Sequence, residues 1–428
     1  MRAVDLPEYE SRFSRYKSDV PPEIVVQRIY DLGIKTIAID TETHYDPTKR
    51  GIIRFINGSP NNVPFGLSLT IEVGNEYESY WVTGIEQIRE FKNLLEDESI
   101  SKILHNSKYD RHMLANIGID LAGPIWDTMV MIHLIDEEQM CRTEDGGMVQ
   151  SKALKHLAYH YLGEDGHELE NLVDEVRRVI ALREGRVKSH VSYKEANDAS
   201  PIIMRDYACA DTEFSYRLFR IFLPRLVQQD LTRAYQIDID ATYAVFQMER
   251  VGLGVDQMYY EQLDRELTEA LVKILSDTMR LIPIELNIRS SRDLVKGFEA
   301  LGVEWKWYTA KGEYRTDDKI LHQFTEGEPA ALAELVLSYR EKTKLRDTFI
   351  SQIREYNQGG RIHADFNVCP RDDSGGGTVT GRLSSNAPNL HNLPKDDKRI
   401  RKGIVPAPGY VFVEMDYDFY TLVVVKAH

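Results

Sequence analysis

Asp40 and Glu42 stand two residues apart at the end of a β-branched, apolar run, residues 34–40 (IKTIAID), where a strand's period of two turns both carboxylates to one face. Paired carboxylates on one edge invite a cation, although a strand end running into an acidic loop gives the same letters. Asn106 and Asp110 are four apart just after a short apolar strand at 103–105. On a helix that spacing points both toward the carboxyl end of the sheet, where α/β sites form, although a capping Asn106 followed by a solvated Asp110 is the plainer reading. Tyr207 and Asp211 are again four apart, at the expected start of a helix, with apolar residues around them at core spacing. Each pair alone is ordinary. Their order, DxE then NxxxD then YxxxD on elements from which the carboxylates can converge, is specific.

These residues need a scaffold, and the pattern supplies one. Residues 34–40, 65–73 (FGLSLTIEV) and 77–82 read as three strands, the last two joined at Gly74-Asn75. A helical pattern over 86–95, the strand at 103–105 and a helix over 108–117 then alternate, which makes an α/β arrangement. Residues 136–151 are polar and read as a loop, 152–162 as a helix ended by Gly163, 169–182 as a helix, and 183–200 as a second loop. From 207 to 282 the pattern is helical with a break at 252–256, and it continues mostly helical to 354 with a strand-like piece at 313–316. Residues 361–368 and 410–415 alternate like strands and bracket a loop carrying TGRLSSNAPNLHNLP.

The 428 residues carry 53 basic and 68 acidic groups, a net charge of -15, with 42% hydrophobic residues, enough for two to four globular domains. Cys141, Cys209 and Cys369 form no CxxC pair, which argues against structural zinc or a disulfide framework and fits a reducing compartment. The N-terminus lacks a signal-peptide core and no window approaches the roughly 18 apolar residues of a membrane span. A cytoplasmic location, bacterial or in a phage-infected host, is expected, with no membrane role. Acidity is a whole-chain sum, so nucleic-acid binding is judged on local clusters. Arg340, Lys342, Lys344, Arg346 and Arg354 form one, and 395–402 (KDDKRIRK) a second; they flank a motif with Arg382, Ser384, Asn389 and Asn392 that fits a groove for DNA phosphates.

The triple carboxylate pattern resembles the DEDDy class of 3′-5′ exonucleases, over about residues 30–225. The resemblance implies that Asp40, Glu42 and Asp211 hold one divalent ion, Asp40 and Asp110 a second, and that Tyr207 orients the attacking water. Four oxygen-only ligands agree with Mg²⁺ or Mn²⁺ rather than zinc, and two such ions suit an in-line phosphodiester displacement. Asp127 is assigned no catalytic role. Residues 380–394 resemble the family A, DNA polymerase I-like DNA polymerases, as do MERVGLGVD (248–256), LNIRSSRDL (286–294) and the thumb-like helix with Tyr339, Arg340, Lys344 and Leu345. That resemblance implies DNA contacts at Asn106, Arg340, Lys344, Arg382, Ser384, Asn389 and His391, the family usually having Gln in place of His391. Tyr109 and Tyr45 are further candidates for a single-stranded 3′ end.

VFVEMDYDFYTLVVVKAH resembles the first palm motif of that family, with Asp416 as a polymerase metal ligand and Thr421 where a ribonucleotide-rejecting glutamate usually stands. The match breaks off at His428, so the chain alone is not expected to polymerise; a fragment and one half of a split polymerase completed by a partner chain both fit. The compact layout resembles a phage enzyme. The expected organisation is an N-terminal extension (1–30), an RNase H-like mixed-sheet exonuclease domain (31–228), a mostly helical thumb region (229–360) and a partial α+β palm (361–428). The expected function is proofreading: two Mg²⁺ or Mn²⁺ ions and DNA, as a 3′ end and as primer-template. A silent, DNA-clamping half is the alternative; an RNase D-like enzyme fits the exonuclease motifs but not TGRLSS.

Overall fold

The β-branched runs near the N-terminus form the strands they predict. The computed structural model describes residues 5–44, 63–143, 145–284, 286–369, 378, 381–394 and 397–415. Packing divides the chain into two units, Met1–Gly252 with His363–His391, and Leu253–Ile362 with Asn392–His428.

The first unit is built on a six-stranded sheet of β1 (Tyr16–Lys17), β2 (Thr36–Thr43), β3 (Pro64–Val73), β4 (Glu76–Thr83), β5 (Ser101–Leu104) and β6 (Ile125–Asp127), in the order β1-β4-β3-β2-β5-β6. β2 lies near its middle, antiparallel to β3 and parallel to β5. Gly74 makes the β3–β4 turn at φ +66°, a conformation that glycine adopts without strain. Ile37, Ile39, Leu67 and Leu69 face one side, against Val25 and Ile29 of α1 (Pro22–Asp31), Ile88 of α2 (Ile85–Arg89), Leu94 of α3 (Lys92–Leu95) and Leu114 of α4 (Ser107–Asn116). Ala38 and Ile103 face the other side, toward Val130 of α5 (Thr128–Ile135). Burying each such Leu, Ile or Val contributes about 1.5–3 kcal/mol. The two-residue period thus separates two cores across one sheet.

The insert after β6 is richer than expected. Residues 136–151 carry a hairpin, β7 (Met140–Arg142) and β8 (Met148–Gln150), where the polar composition read as loop. Next come α6 (Leu154–Leu157), prolonged by a wider turn over Ala158–Leu162, then α7 (Gly166–Glu184), α8 (Tyr193–Ala199), α9 (Pro201–Gln228) and α10 (Thr232–Val251). α8 replaces part of the expected 183–200 loop: Ser192 and Glu195 form a reciprocal capping box, a signal present in the sequence as S-x-x-E. α9 begins at Pro201, so Tyr207 lies in its second turn rather than at its start.

The unit also runs past the expected boundaries at both ends. Residues before 31 are integral to it, since β1 pairs with β4, the Tyr9 hydroxyl donates to Asp206 (2.7 Å), and Arg15 binds Glu213 with two nitrogens (2.7 and 3.0 Å). α10, placed with the thumb by its sequence, packs here through Tyr235, whose hydroxyl donates to Ile125 O (3.1 Å).

The second unit is mostly helical, with α11 (Gln257–Leu281), α12 (Ser291–Ala300), α13 (Asp318–Leu321), α14 (Gly327–Thr343), α15 (Ser351–Tyr356) and α16 (Lys398–Lys402). Leu271, Phe298, Trp305, Leu332 and Val336 fill its core, with Phe298 stacked on Phe324 at 4.7 Å. A small sheet joins β9 (Leu253–Gly254), β10 (Asn357–Gln358) and β11 (Arg361–Ile362). The 313–316 piece forms no strand, only a single bridge between Tyr308 and Tyr314. The 361–368 run splits at His363: its second part, β12 (Asp365–Asn367), pairs with β13 (Ser384–Asn386) in the first unit. Residues 410–415, expected as a strand, are irregular and exposed. Among the described residues no helix is long and apolar enough to cross a membrane.

Candidate active site

The carboxyl end of β2 carries Asp40 and Glu42, paired across β3 with Ser68 and Gly66. Gly66 is required there, since a Cβ on it would lie 1.9 Å from the Trp81 ring. α9 brings Asp211 to the same place. Asp40, Glu42 and Asp211 each present a carboxylate oxygen, and these atoms lie within 4.8 Å of one another. Asp110, on α4, is 1% exposed and is fixed to β2 through Thr41, whose backbone N–H (2.9 Å) and hydroxyl (2.6 Å) both donate to its Oδ1. Thr41 stands between Asp40 and Glu42, so the fourth carboxylate is tied to the strand that holds two of the others.

Tyr207 lies one turn before Asp211 and is buried with it on α9. Lys155 of α6 completes this wall. Its ammonium pairs with Asp211 Oδ1 and sits 4.4 Å from the centre of the Tyr207 ring. Sequence reasoning took 152–162 for a helix and missed Lys155. The signal was a lysine on the apolar stripe of Leu154, Ala158 and Leu162.

Crowded carboxylates in a desolvated place resist ionisation. Burial pushes Asp40 up to about 6, with Lys155 pulling the other way. Burial also raises Glu42 well above the carboxylate range, and Asp40 raises it further. Asp110 is raised by burial and by Asp40 against the Thr41 hydrogen bonds. Lys155 is lowered by burial to about 8, while Glu170, Glu42 and Asp40 draw it up. Burial keeps the Tyr207 phenol protonated. A donor set of oxygens alone, held close, with its negative charge under-compensated, fits a hard divalent cation such as Mg²⁺ or Mn²⁺.

Asn106 does not share a helical face with Asp110, as the spacing suggested. It precedes α4 in the left-handed region (φ 67°) and its side chain does not cap the helix. The cap comes from Asp127: its carboxylate accepts from the backbone N–H of Asn106 (3.1 Å) and Ser107 (2.6 Å) and, on its own helix, of Met129 (3.0 Å) and Val130 (3.4 Å). One buried side chain thus closes the N-termini of α4 and α5, a structural task consistent with its having no assigned catalytic role.

A second buried charge cluster lies behind α4. Lys108 binds Glu249, Asp365 (2.7 Å) and the Phe366 carbonyl, while Glu249 also accepts from the Phe366 N–H (2.6 Å) and pairs with His112 (2.6 Å). It anchors β12 to α4 and α10.

The remaining sequence-derived residues are spread over both units. Arg340 is committed to Thr316 O (2.6 Å) and Asp318 (3.0 Å). Lys344 lines an open cleft of about 590 Å³ with Glu341, Phe349, Asn392 and Arg399. Ser384 lies on β13 and accepts from Asn367 (3.2 Å); Arg382 is exposed, Asn389 partly buried, and the exposed His391 packs its ring against Phe366 (5.7 Å). Tyr109 shares a hydrogen bond with Thr43 (2.5 Å). Asp416, Thr421 and Tyr45 lie outside the described residues.

Comparison with known proteins agrees with this layout. A profile described as 3′-5′ exonuclease matches residues 22–227, and one described as DNA polymerase family A matches residues 257–428. DNA polymerase I of Chloroflexus aurantiacus is 27% identical over 435 residues, covering 96% of this chain and 42% of that protein. DNA polymerase DpoZ of Salmonella phage PMBT28 is 27% identical over 411 residues, covering 89% of this chain and 60% of that one. In fold the chain is similar to the POL domain of Pol1 from M. smegmatis, solved with DNA primer-template and dNTP. The TM-score is 0.64 at 22% identity, over 92% of this chain and 59% of that one. The chain therefore spans less than two thirds of each of these proteins. With an exonuclease match over its first half and a polymerase match over its second, and relatives that align across both, the chain belongs to the family A DNA polymerases, in the branch with a 3′-5′ exonuclease domain.

Proposed function

We propose that this chain hydrolyses DNA from 3′ ends, as the proofreading exonuclease of a family A DNA polymerase acting in DNA replication. The observation that carries the reading is the convergence of Asp40, Glu42 and Asp211 to within 4.8 Å, beside Asp110 and Tyr207. Residues 31–228 hold this activity, while Arg340, Lys344, Arg382, Ser384, Asn389 and His391 contact the primer-template, and Asn106 the strand near the exonuclease site.

Asp40, Glu42 and Asp211 would hold one divalent ion and Asp40 with Asp110 a second. When bound, such ions lower the pKa of water and stabilise charge on a leaving 3′ oxygen. The protein's own part is positional. Thr41 fixes Asp110 against β2, so two elements keep one geometry when a strand arrives. The protonated Tyr207 phenol hydrogen-bonds the attacking water and aims its lone pair along the line of displacement. Partial burial of the wall excludes bulk water, which strengthens each electrostatic contact made there.

Purified chain incubated with 5′-labelled single-stranded DNA and Mg²⁺ or Mn²⁺ is expected to give a ladder shortened one nucleotide at a time, absent in EDTA. Intact DNA with either ion would sink this reading. Faster loss of an RNA of the same sequence would redirect it to RNA processing.

A further inference from the structure

Lys155 is built into the exonuclease wall. It is 8% exposed, and its head is bounded by Asp211, which it pairs with, and by the Tyr207 ring at 4.4 Å. Its stem runs in a slot at the start of α7. Gly166, buried at the first position of that helix, leaves the room: a Cβ there would lie 2.8 Å from Lys155 Cδ and 3.3 Å from the Phe214 ring. Slot, ring and carboxylate together aim one ammonium at one oxygen of the carboxylate cluster.

That oxygen belongs to a residue that offers itself to a metal together with Asp40 and Glu42. An ammonium and a divalent ion cannot both occupy the contact on Asp211 without mutual repulsion, which is strong where water is scarce. We propose that Lys155 is a positioning residue of the metal site: its ammonium keeps Asp211 aimed while no ion is bound, and a divalent ion must take Asp211 from it. The inference rests on the exonuclease reading above. It assigns Lys155 a cost in metal affinity together with a gain in preorganisation, the role of an internal counter-ion.

The test is Mn²⁺ binding without DNA, followed by loss of the free-ion paramagnetic resonance signal, for the full chain and for Lys155→Met, Lys155→Arg, Gly166→Ala and Asp40→Ala. Lys155→Met is expected to bind Mn²⁺ about tenfold more tightly, a difference of about 1.4 kcal/mol. Lys155→Arg stays near the parent, because the charge is kept. Gly166→Ala, which crowds the stem without touching any carboxylate, tightens binding by a smaller factor, and it serves if Lys155→Met fails to fold. A metal-supporting or merely structural lysine gives the opposite sign or none. Unchanged or weaker binding in both Lys155→Met and Gly166→Ala, with Asp40→Ala abolishing it, overturns the proposal and leaves the exonuclease reading standing. No Mn²⁺ binding by the parent chain sinks both.

Discussion

Two buried charge clusters flank α4 in the same unit, and they are balanced differently. Behind the helix, the Lys108 ammonium meets the carboxylates of Glu249 and Asp365, and His112, which burial holds toward its neutral form, shares a hydrogen bond with Glu249. In front of it, Asp40, Glu42, Asp110 and Asp211 meet Lys155. The first cluster ties α4, α10 and β12 together. The second sets four carboxylates against one ammonium, a negative charge that burial makes expensive and that either protons or a bound cation relieve. Burial and charged residues occur in both; the surplus is what distinguishes a site from a tie.

The comparison breaks first if the surplus carboxylates prove dispensable. Asp40→Ala with Asp211→Ala is expected to lower 3′ hydrolysis by at least about 10⁴-fold, roughly 5.5 kcal/mol of activation free energy, measured as single-turnover rates. The rate is taken per folded molecule, because removing Asp211 also leaves the buried Lys155 ammonium without its ion-pair partner. Glu249→Ala should act on stability rather than on rate. It leaves Lys108 with Asp365 as its one carboxylate among the described residues and takes the partner of His112, and costs about 3 kcal/mol in denaturant unfolding, with the rate per folded molecule little changed.

Asp127→Ala sharpens the contrast with a carboxylate held by backbone N–H groups instead of cations. Losing caps on both α4 and α5 should cost about 2 kcal/mol, again read by unfolding.

The smallest effect concerns Glu78, a carboxylate with surplus cations. Burial raises it, but hydrogen bonds from Arg28, Tyr80 and Lys17 outweigh that and bring it down to about 2. Its folded value lies below its ordinary 4.5, so its stabilisation is fully present above pH 4.5 and is lost as pH falls through 2. Glu78→Gln should cost about 1–2 kcal/mol at pH 7, after allowance for the solvent that reaches Arg28 and Lys17. The parent–variant difference should shrink toward zero near pH 2; a difference independent of pH would contradict the assignment. Asp40 moves up because burial outweighs Lys155, and Glu78 moves down because its hydrogen-bond partners outweigh burial.

The sequence made the sheet and the carboxylates legible because both rest on local periodicity. β-branched alternation located β2, β3 and β4, and the spacings of two and four located Asp40, Glu42, Asp110, Tyr207 and Asp211. Features that depend on distant partners were hidden. Asn106 looked like a cap, yet the capping oxygen comes from Asp127, 20 residues beyond Ser107. Lys155 reads as one more helix residue until α9 brings Asp211 to it, 56 positions on. The β7–β8 hairpin has little apolar alternation because one buried residue, Cys141, secures it against the helices. α8 was readable from its capping box and was passed over because the surrounding stretch is polar.

The most direct test of the central claim, that the under-compensated carboxylates cut DNA from its 3′ end, uses a single strand carrying different labels at its two ends. It is mixed with Mg²⁺ and either the purified chain or its Asp40→Ala, Asp211→Ala form. The account predicts that the 3′ label leaves first, as a mononucleotide, and that the double variant releases neither label on the same timescale. Release of the 5′ label first, internal cuts, or undiminished release by the double variant would contradict it.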